Sequence, residues 1–250
     1  MKFLNIEDIE CYKDYWIIKE NDISIVFSNA KDERSFNRHT ENGISNLQSI
    51  KADFKVENVV YLNQIHSDII EVYNGVNEEE FIKKEGDAII TKEIDTAIGA
   101  FTADCVPIIL VDSKNKVIAA IHSGWKGTIS SIVLKSVNKM ITEFNCDVNN
   151  IKAYIGPHIR KCCYEISEEL KEKFIGQFDI PEEELFHGRK LSMEKCIEQD
   201  LLKANIKKEN INSLNLCTYC SKEPLHSYRK SSGSYGRLFA FAYINRWRGN

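Results

Sequence analysis

The chain is 250 residues long with 43% hydrophobic and 28% charged residues, enough apolar material for a continuous core and too much for a disordered segment. Its 33 basic and 37 acidic residues are interspersed and sum to a net charge of −4, which argues against a broad cationic face for nucleic acid or an anionic membrane and leaves a small molecule as the expected partner. The 12 glycines and 4 prolines do not cluster, so no linker is expected and one domain should cover residues 1–250.

Residues 1–10 lack the basic stretch and following apolar run of a secretory signal, so a soluble, cytoplasmic protein is expected. In a reducing compartment its eight cysteines should be thiols, metal ligands or small buried hydrophobes rather than a disulfide framework. Short runs rich in β-branched and aromatic residues at 23–27, 59–62, 69–73, 88–91, 97–101, 108–111 and 117–121 read as strands. Between 42 and 54, Ile44, Leu47, Ile50 and Phe54 recur at helical spacing. The glutamate triplets at 78–80 and 182–184 read as solvated surface. The longest apolar run, 105–111, is far too short to span a bilayer.

After Trp125 the period changes. Ile129, Ile132, Val133, Val137, Met140, Ile141 and Phe144 form a stripe that predicts one helix of about four turns, with Thr128 as its N-cap. Gly124 and Gly127 suit the tight connection before it. Further helices are predicted from Ser167 onward and over 194–204, and closing strands at 212–216 and 238–244. Strands in runs with a few inserted helices predict an α+β fold with largely antiparallel or mixed sheet.

Three strand ends carry the chemistry-bearing residues. His66, Cys105 and His122 each stand at a polar break, and two imidazoles with one thiolate make a suitable zinc set that leaves a fourth position open. Their separations of 39 (105 − 66) and 17 (122 − 105) residues match no compact metal motif, so by spacing alone His66 is equally a core histidine and Cys105 a small buried hydrophobe. The turn 123–128 runs into a helix N-terminus and carries Lys126, an arrangement open to phosphate binding or to a plain capped turn. Cys217 and Cys220 form a CxxC with no second CxxC, and Cys162 and Cys163 are adjacent; packing is the expectation for both pairs. The nucleoside-deaminase signature H-x-E with P-C-x-x-C is absent, because Leu216 precedes Cys217.

Six ordered blocks, NQIHSD (63–68), GDAIIT (86–91), TADCVPIILVD (102–112), AAIHSGWKGT (119–128), YIGPHIRKCCYEI (154–166) and CTYCS with SYRK and GRLFAFAYI (217–221, 227–230, 236–244), resemble the YfiH/YlmD family. These are laccase domain-containing proteins, formerly called multicopper polyphenol oxidases. The resemblance implies a sandwich of mixed β-sheets with helices outside, and a zinc centre whose ligands match His66, Cys105 and His122. It implies phosphorolysis of a purine nucleoside to base and ribose-1-phosphate, with adenosine deamination alongside. Lys126, Asn63 and Arg229 are the expected substrate contacts, and Asn63 or Asp104 would position the zinc ligands. The family's Gly-Gly loop and its preceding Arg are replaced at 28–38, so neither Arg34 nor Arg38 is assigned a role.

Three alternatives accompany this reading. A laccase-type oxidase would need copper and more histidines than His39, His158, His187 and His226 offer as a cluster. A Cys/His hydrolase or deamidase would use Cys105 as nucleophile and His122 as base. A binding module would close its metal with a fourth ligand, from His158, Cys162 or Cys163. The sequence leaves monomer and homodimer equally open.

Overall fold

The structure, a computed structural model, describes residues 1–231 and 235–246. Seven strands make one sheet, in the order Lys2–Phe3, Ile211–Ser213, Ile151–Ile155, Val106–Asp112, Val117–Ser123, Ala88–Thr91 and Ile70–Tyr73. Six make a second: Glu10–Tyr12, Tyr15–Glu20, Ile23–Ser28, Leu238–Ile244, Thr96–Thr102 and Asn58–Val60; Phe186–His187 and Lys190–Leu191 form a small ribbon apart. Ile211–Ser213 runs parallel to both neighbours, and the pairs 58–60/96–102 and 70–73/88–91 are also parallel; the remaining ladders are antiparallel. This is the mixed α+β arrangement expected.

The period of two along each strand assigns its residues to layers. Ile89, Ile109, Val111, Ile118 and Ala120 join Ile25, Phe27, Ile98, Ala240 and Ala242 in the cluster between the sheets. Their neighbours Ile90, Ile108, Leu110, Val117 and Ala119 join Val133, Val137 and Met140 of helix Ile132–Phe144, and Ile197 and Leu201 of helix Met193–Lys203. On the far side, Leu47, Ile50 and Phe54 of helix Glu41–Phe54 pack with Val26, Phe101, Phe239 and Phe241. The order is helices, sheet, sheet, helix. Each buried Val, Leu, Ile, Phe or Met among them contributes about 1.5–3 kcal/mol, whereas an exposed ion pair contributes ~0–1 kcal/mol, so the interleaved apolar faces hold the sandwich together.

The strands Ala88–Thr91 and Leu238–Ile244 fall where the sequence puts them. Tyr15–Glu20 and Ile151–Ile155 are strands not anticipated there. The predicted continuous helix is two, Trp125–Ile129 and Ile132–Phe144, because Ser131 adopts a left-handed φ of 54° and its hydroxyl donates to Asp200 Oδ1 at 3.2 Å. Thr128 is therefore not an N-cap: it lies inside the first helix, Gly124 is the cap residue, and Thr128 Oγ1 donates back to Gly124 O at 2.9 Å. Ser167 does cap helix Glu168–Gln177, accepting from Leu170 N at 3.3 Å. Among the described residues no helix is long and apolar enough to cross a membrane.

Candidate metal centre and pocket

Of the connections that cross from one sheet to the other, two carry one donor each. The segment between Asn58–Val60 and Ile70–Tyr73 bears His66, and the turn between Thr96–Thr102 and Val106–Asp112 bears Cys105. His122 is the penultimate residue of strand Val117–Ser123, which is hydrogen-bonded to both Val106–Asp112 and Ala88–Thr91. The ligand atoms of the three residues lie within 4.8 Å of one another, a group that can hold a metal ion. Cys105 Sγ is 3.9 Å from His66 Nε2, and the two imidazole rings stand edge to face with centroids 4.8 Å apart. His66 has a φ of 58° and is exposed, whereas His122 is buried.

The group that orients these donors is Asp87, a buried carboxylate at the start of Ala88–Thr91. Its Oδ1 is 2.8 Å from His122 Nδ1 and accepts from His66 N at 3.1 Å. Its Oδ2 accepts from Ser67 N at 2.6 Å and Ser67 Oγ at 2.7 Å. Engaging Nδ1 in this way leaves His122 Nε2 as the nitrogen available to a metal. Burial alone would push the Asp87 carboxyl up, but the hydrogen bonds from His122 and Ser67 hold it below the ordinary carboxylate value.

Burial would also push the Cys105 thiol up, yet charge on His122 and hydrogen bonds from His122 and His66 bring it down to about 6. Burial would lower His122; the charge of Cys105 and the bond to Asp87 lift it to about 9. Each of the two thus favours the charged form of the other, Cys105 as thiolate and His122 as imidazolium. Space is made for the donors by Gly124: a Cβ there would sit 2.9 Å from His66 Cδ2 and 3.2 Å from Cys105 Sγ. A soft thiolate with two imidazoles, a carboxylate behind one of them and room between all three fit a divalent metal with an open position.

The donors face a cavity of about 560 Å³ whose walls include Arg38, Phe101, Tyr164, Tyr228, Arg229 and Arg237. Gln64 shapes its floor by pairing its side-chain amide with both the N–H and the carbonyl of Phe101, at 2.7 and 2.9 Å. Of the expected substrate contacts, only Arg229 lines this cavity, its Nη1 donating to Glu165 O at 2.9 Å and its guanidinium lying over Tyr164. Lys126 is exposed, lies over Trp125 and is not among the lining residues. Asn63 is also outside them; its Oδ1 accepts from Arg38 Nη2 at 2.7 Å, so it holds a guanidinium that does line the wall. Asp104 does not touch the donors' nitrogen atoms. It accepts from Thr218 Oγ1 at 2.5 Å and Arg229 N at 2.7 Å, tying the pocket wall together.

Sequence reasoning missed Asp87, Arg38, Arg237 and the aromatic wall. Asp87 stood within the GDAIIT block, but its importance comes from segments 20 and 35 residues away that fold onto it. The replaced loop resolves the two arginines: Arg38 lines the cavity, while Arg34 turns to Asp14 and donates to Ser49 Oγ at 2.6 Å. The packing expectation holds for Cys217, which is buried in the core, and for Cys163, which packs against it. Cys162, Cys163, Cys217 and Cys220 converge into a second group able to hold a metal.

Fold and site together define a two-sheet sandwich protein with a His₂Cys donor set opening into a cavity. The chain belongs to the YfiH or laccase-domain family, whose model, described as multi-copper polyphenol oxidoreductase laccase, matches residues 33–245. A purine nucleoside phosphorylase of Clostridium acetobutylicum is 43% identical over 239 residues, covering 95% of this chain and 98% of that one. An adenosine deaminase, RL5, from an unknown prokaryotic organism is 31% identical over 173 residues, 67% of this chain and 66% of that one. The fold is shared with the crystal structure of YfiH from Bacillus licheniformis, at a TM-score of 0.86 and 22% identity, over 94% of this chain and 97% of that one.

Proposed function

We propose that this chain is a zinc-dependent purine nucleoside phosphorylase with an accompanying adenosine deaminase activity, and that His66, Cys105 and His122 hold the zinc. The observation that carries this reading is the convergence of those three donors, braced by Asp87, at a cavity lined by guanidinium and aromatic groups. It accords with the activities named for the relatives. Zinc, when bound, supplies a Lewis acid that makes water or phosphate a better nucleophile. Arg38, Arg229 and Arg237 offer forked donors for phosphate, and Phe101, Tyr164, Tyr228 and Tyr235 offer flat faces for a purine. Asp87 keeps His122 in one tautomer and one orientation.

A copper oxidase cycle would need more ligands near the site. Among the described residues the groups of three or more ligating side chains are the His66 set and the four cysteines, while His158 bonds Gly156 O and His226 bonds Arg34 O. A Cys/His hydrolase is the second reading, favoured by the thiolate–imidazolium pair of Cys105 and His122. Inosine with inorganic phosphate is the deciding assay: hypoxanthine and ribose-1-phosphate should form, and His66→Ala should abolish both zinc binding and turnover. A zinc-free His66→Ala protein with full phosphorolysis would sink the proposal. Turnover that survives chelation and is lost on alkylating Cys105 would favour the hydrolase.

A further inference from the structure

Two loops 58 residues apart bring four thiols together (220 − 162). Cys162 and Cys163 occupy a turn closed by Cys163 N and Tyr164 N, both donating to Arg160 O at 2.8 and 2.9 Å. Cys217 and Cys220 begin and end a second turn, closed by Ser221 N donating to Cys217 O at 3.0 Å. Thr218 N donating to His158 O and His158 N donating to Leu216 O join the two loops by their backbones. All four sulfurs lie within 4.8 Å of one another, with Cys162 and Cys220 at 3.6 Å, and all four cysteines are free.

We propose that Cys162, Cys163, Cys217 and Cys220 form a second, structural zinc site, a closed tetrathiolate separate from the His66 set. Four sulfurs at about 2.3 Å from a tetrahedral zinc stand about 3.8 Å apart, so only small side-chain rotations are needed from the observed spacing. Soft thiolates select zinc over harder cations, and the x₂ spacing of Cys217 and Cys220 is that of zinc ligand pairs. Binding breaks four S–H bonds and forms four Zn–S bonds; the protons leave to solvent and nothing is oxidised or reduced. A disulfide is the competing state for these thiols, but 3.6 Å is far from the ~2.05 Å of an S–S bond.

The site has a definite mechanical place. Tyr164 follows Cys163 directly, and Thr218, between the second pair, holds Asp104, which in turn accepts from the Arg229 amide. A zinc here fastens two loops that build the cavity wall. Its ligands include none of the pocket donors, so it stands or falls independently of the activity proposed above.

Cobalt(II) titration of the full-length, reduced, metal-free protein tests it, read in the Cys105→Ser/His122→Ala background. That variant has no thiolate left in the pocket, and among the described residues Cys11, Cys146 and Cys196 belong to no group able to hold a metal, so sulfur-to-cobalt charge-transfer absorption with tetrahedral d–d bands reports the cluster. One equivalent per chain should bind with those bands, zinc should bleach them, and adding Cys162→Ser and Cys220→Ser should remove them. Metal analysis of the unsubstituted protein should correspondingly find two zinc per chain. Absence of thiolate-bound cobalt in the Cys105→Ser/His122→Ala protein would overturn the proposal. So would an intact mass lower by two hydrogens per pair in protein purified under reducing conditions, which would mark the cluster as disulfide.

Discussion

Replacing Asp87 by Asn removes one negative charge from behind His122 while keeping the shape of the side chain. The carboxylate serves four donors at 3.1 Å or less: His122 Nδ1, His66 N, Ser67 N and Ser67 Oγ. An amide offers one acceptor oxygen and turns an NH₂ toward the donors on its other side. If that NH₂ faces His122, Nδ1 must become the acceptor, the proton moves to Nε2, and the nitrogen that should bind metal is blocked. If it faces Ser67, the amide and the hydroxyl of Ser67 lose their acceptor. Loss of an orienting partner behind a metal-binding histidine lowers affinity by about 10–100-fold, or ~1.4–2.7 kcal/mol. Loss of charged hydrogen bonds in a buried site lowers the stability of the metal-free fold by ~2–4 kcal/mol. Competition with a chromophoric zinc chelator measures the first, and urea unfolding in the presence of excess chelator measures the second. Zinc affinity within twofold of the unsubstituted protein, under conditions where His66→Ala abolishes binding, would refute the assignment of Asp87 as the orienting group.

Two further substitutions follow from the geometry. Gly124→Ala fits the backbone, at φ −77° and ψ 178°, but presses its Cβ between His66 and Cys105, so zinc affinity should fall by about tenfold while the metal-free protein melts almost unchanged; equal affinity would show that the ring moves aside freely. Asp200 is buried, with its carboxyl pushed up to about 6, chiefly by burial and only partly offset by Ser131 and Lys203. Between its ordinary value and about 6 the folded state holds a proton that the unfolded state has released, so stability falls as pH rises through that window. Asp200→Asn, which keeps an acceptor for Ser131, should remove that slope and gain up to ~3 kcal/mol at pH 8, measured by denaturation at pH 4 and 8. An unchanged slope would mean that Asp200 is not its source.

What could be read in advance followed the local chemistry. Ala88–Thr91 and Leu238–Ile244 are buried along their whole length, and their β-branched and aromatic runs announce this. The helical stripe from Ile129 to Phe144 was visible too, but not its break, because the tertiary bond from Ser131 to Asp200 leaves the apolar period intact. The three pocket donors were named from their blocks rather than their spacing. Asp87 was not, since a carboxylate before a strand signals nothing until residues 66, 67 and 122 close around it. The cysteine pairs are legible only in part: Cys217 and Cys163 pack in and against the core as their types suggest, but the convergence of four thiols shows only when two loops are laid side by side.

The crossovers that carry His66 and Cys105 have a consequence for how the protein matures. Each donor sits where the chain leaves one sheet for the other, so neither reaches its place until both sheets have formed and pressed their faces together. The topology is unlike that of a zinc finger, whose ligands lie close together along the chain. A metal held by these residues would bind last, as a pin through a finished seam, and its uptake rate during refolding would time the closing of the sandwich.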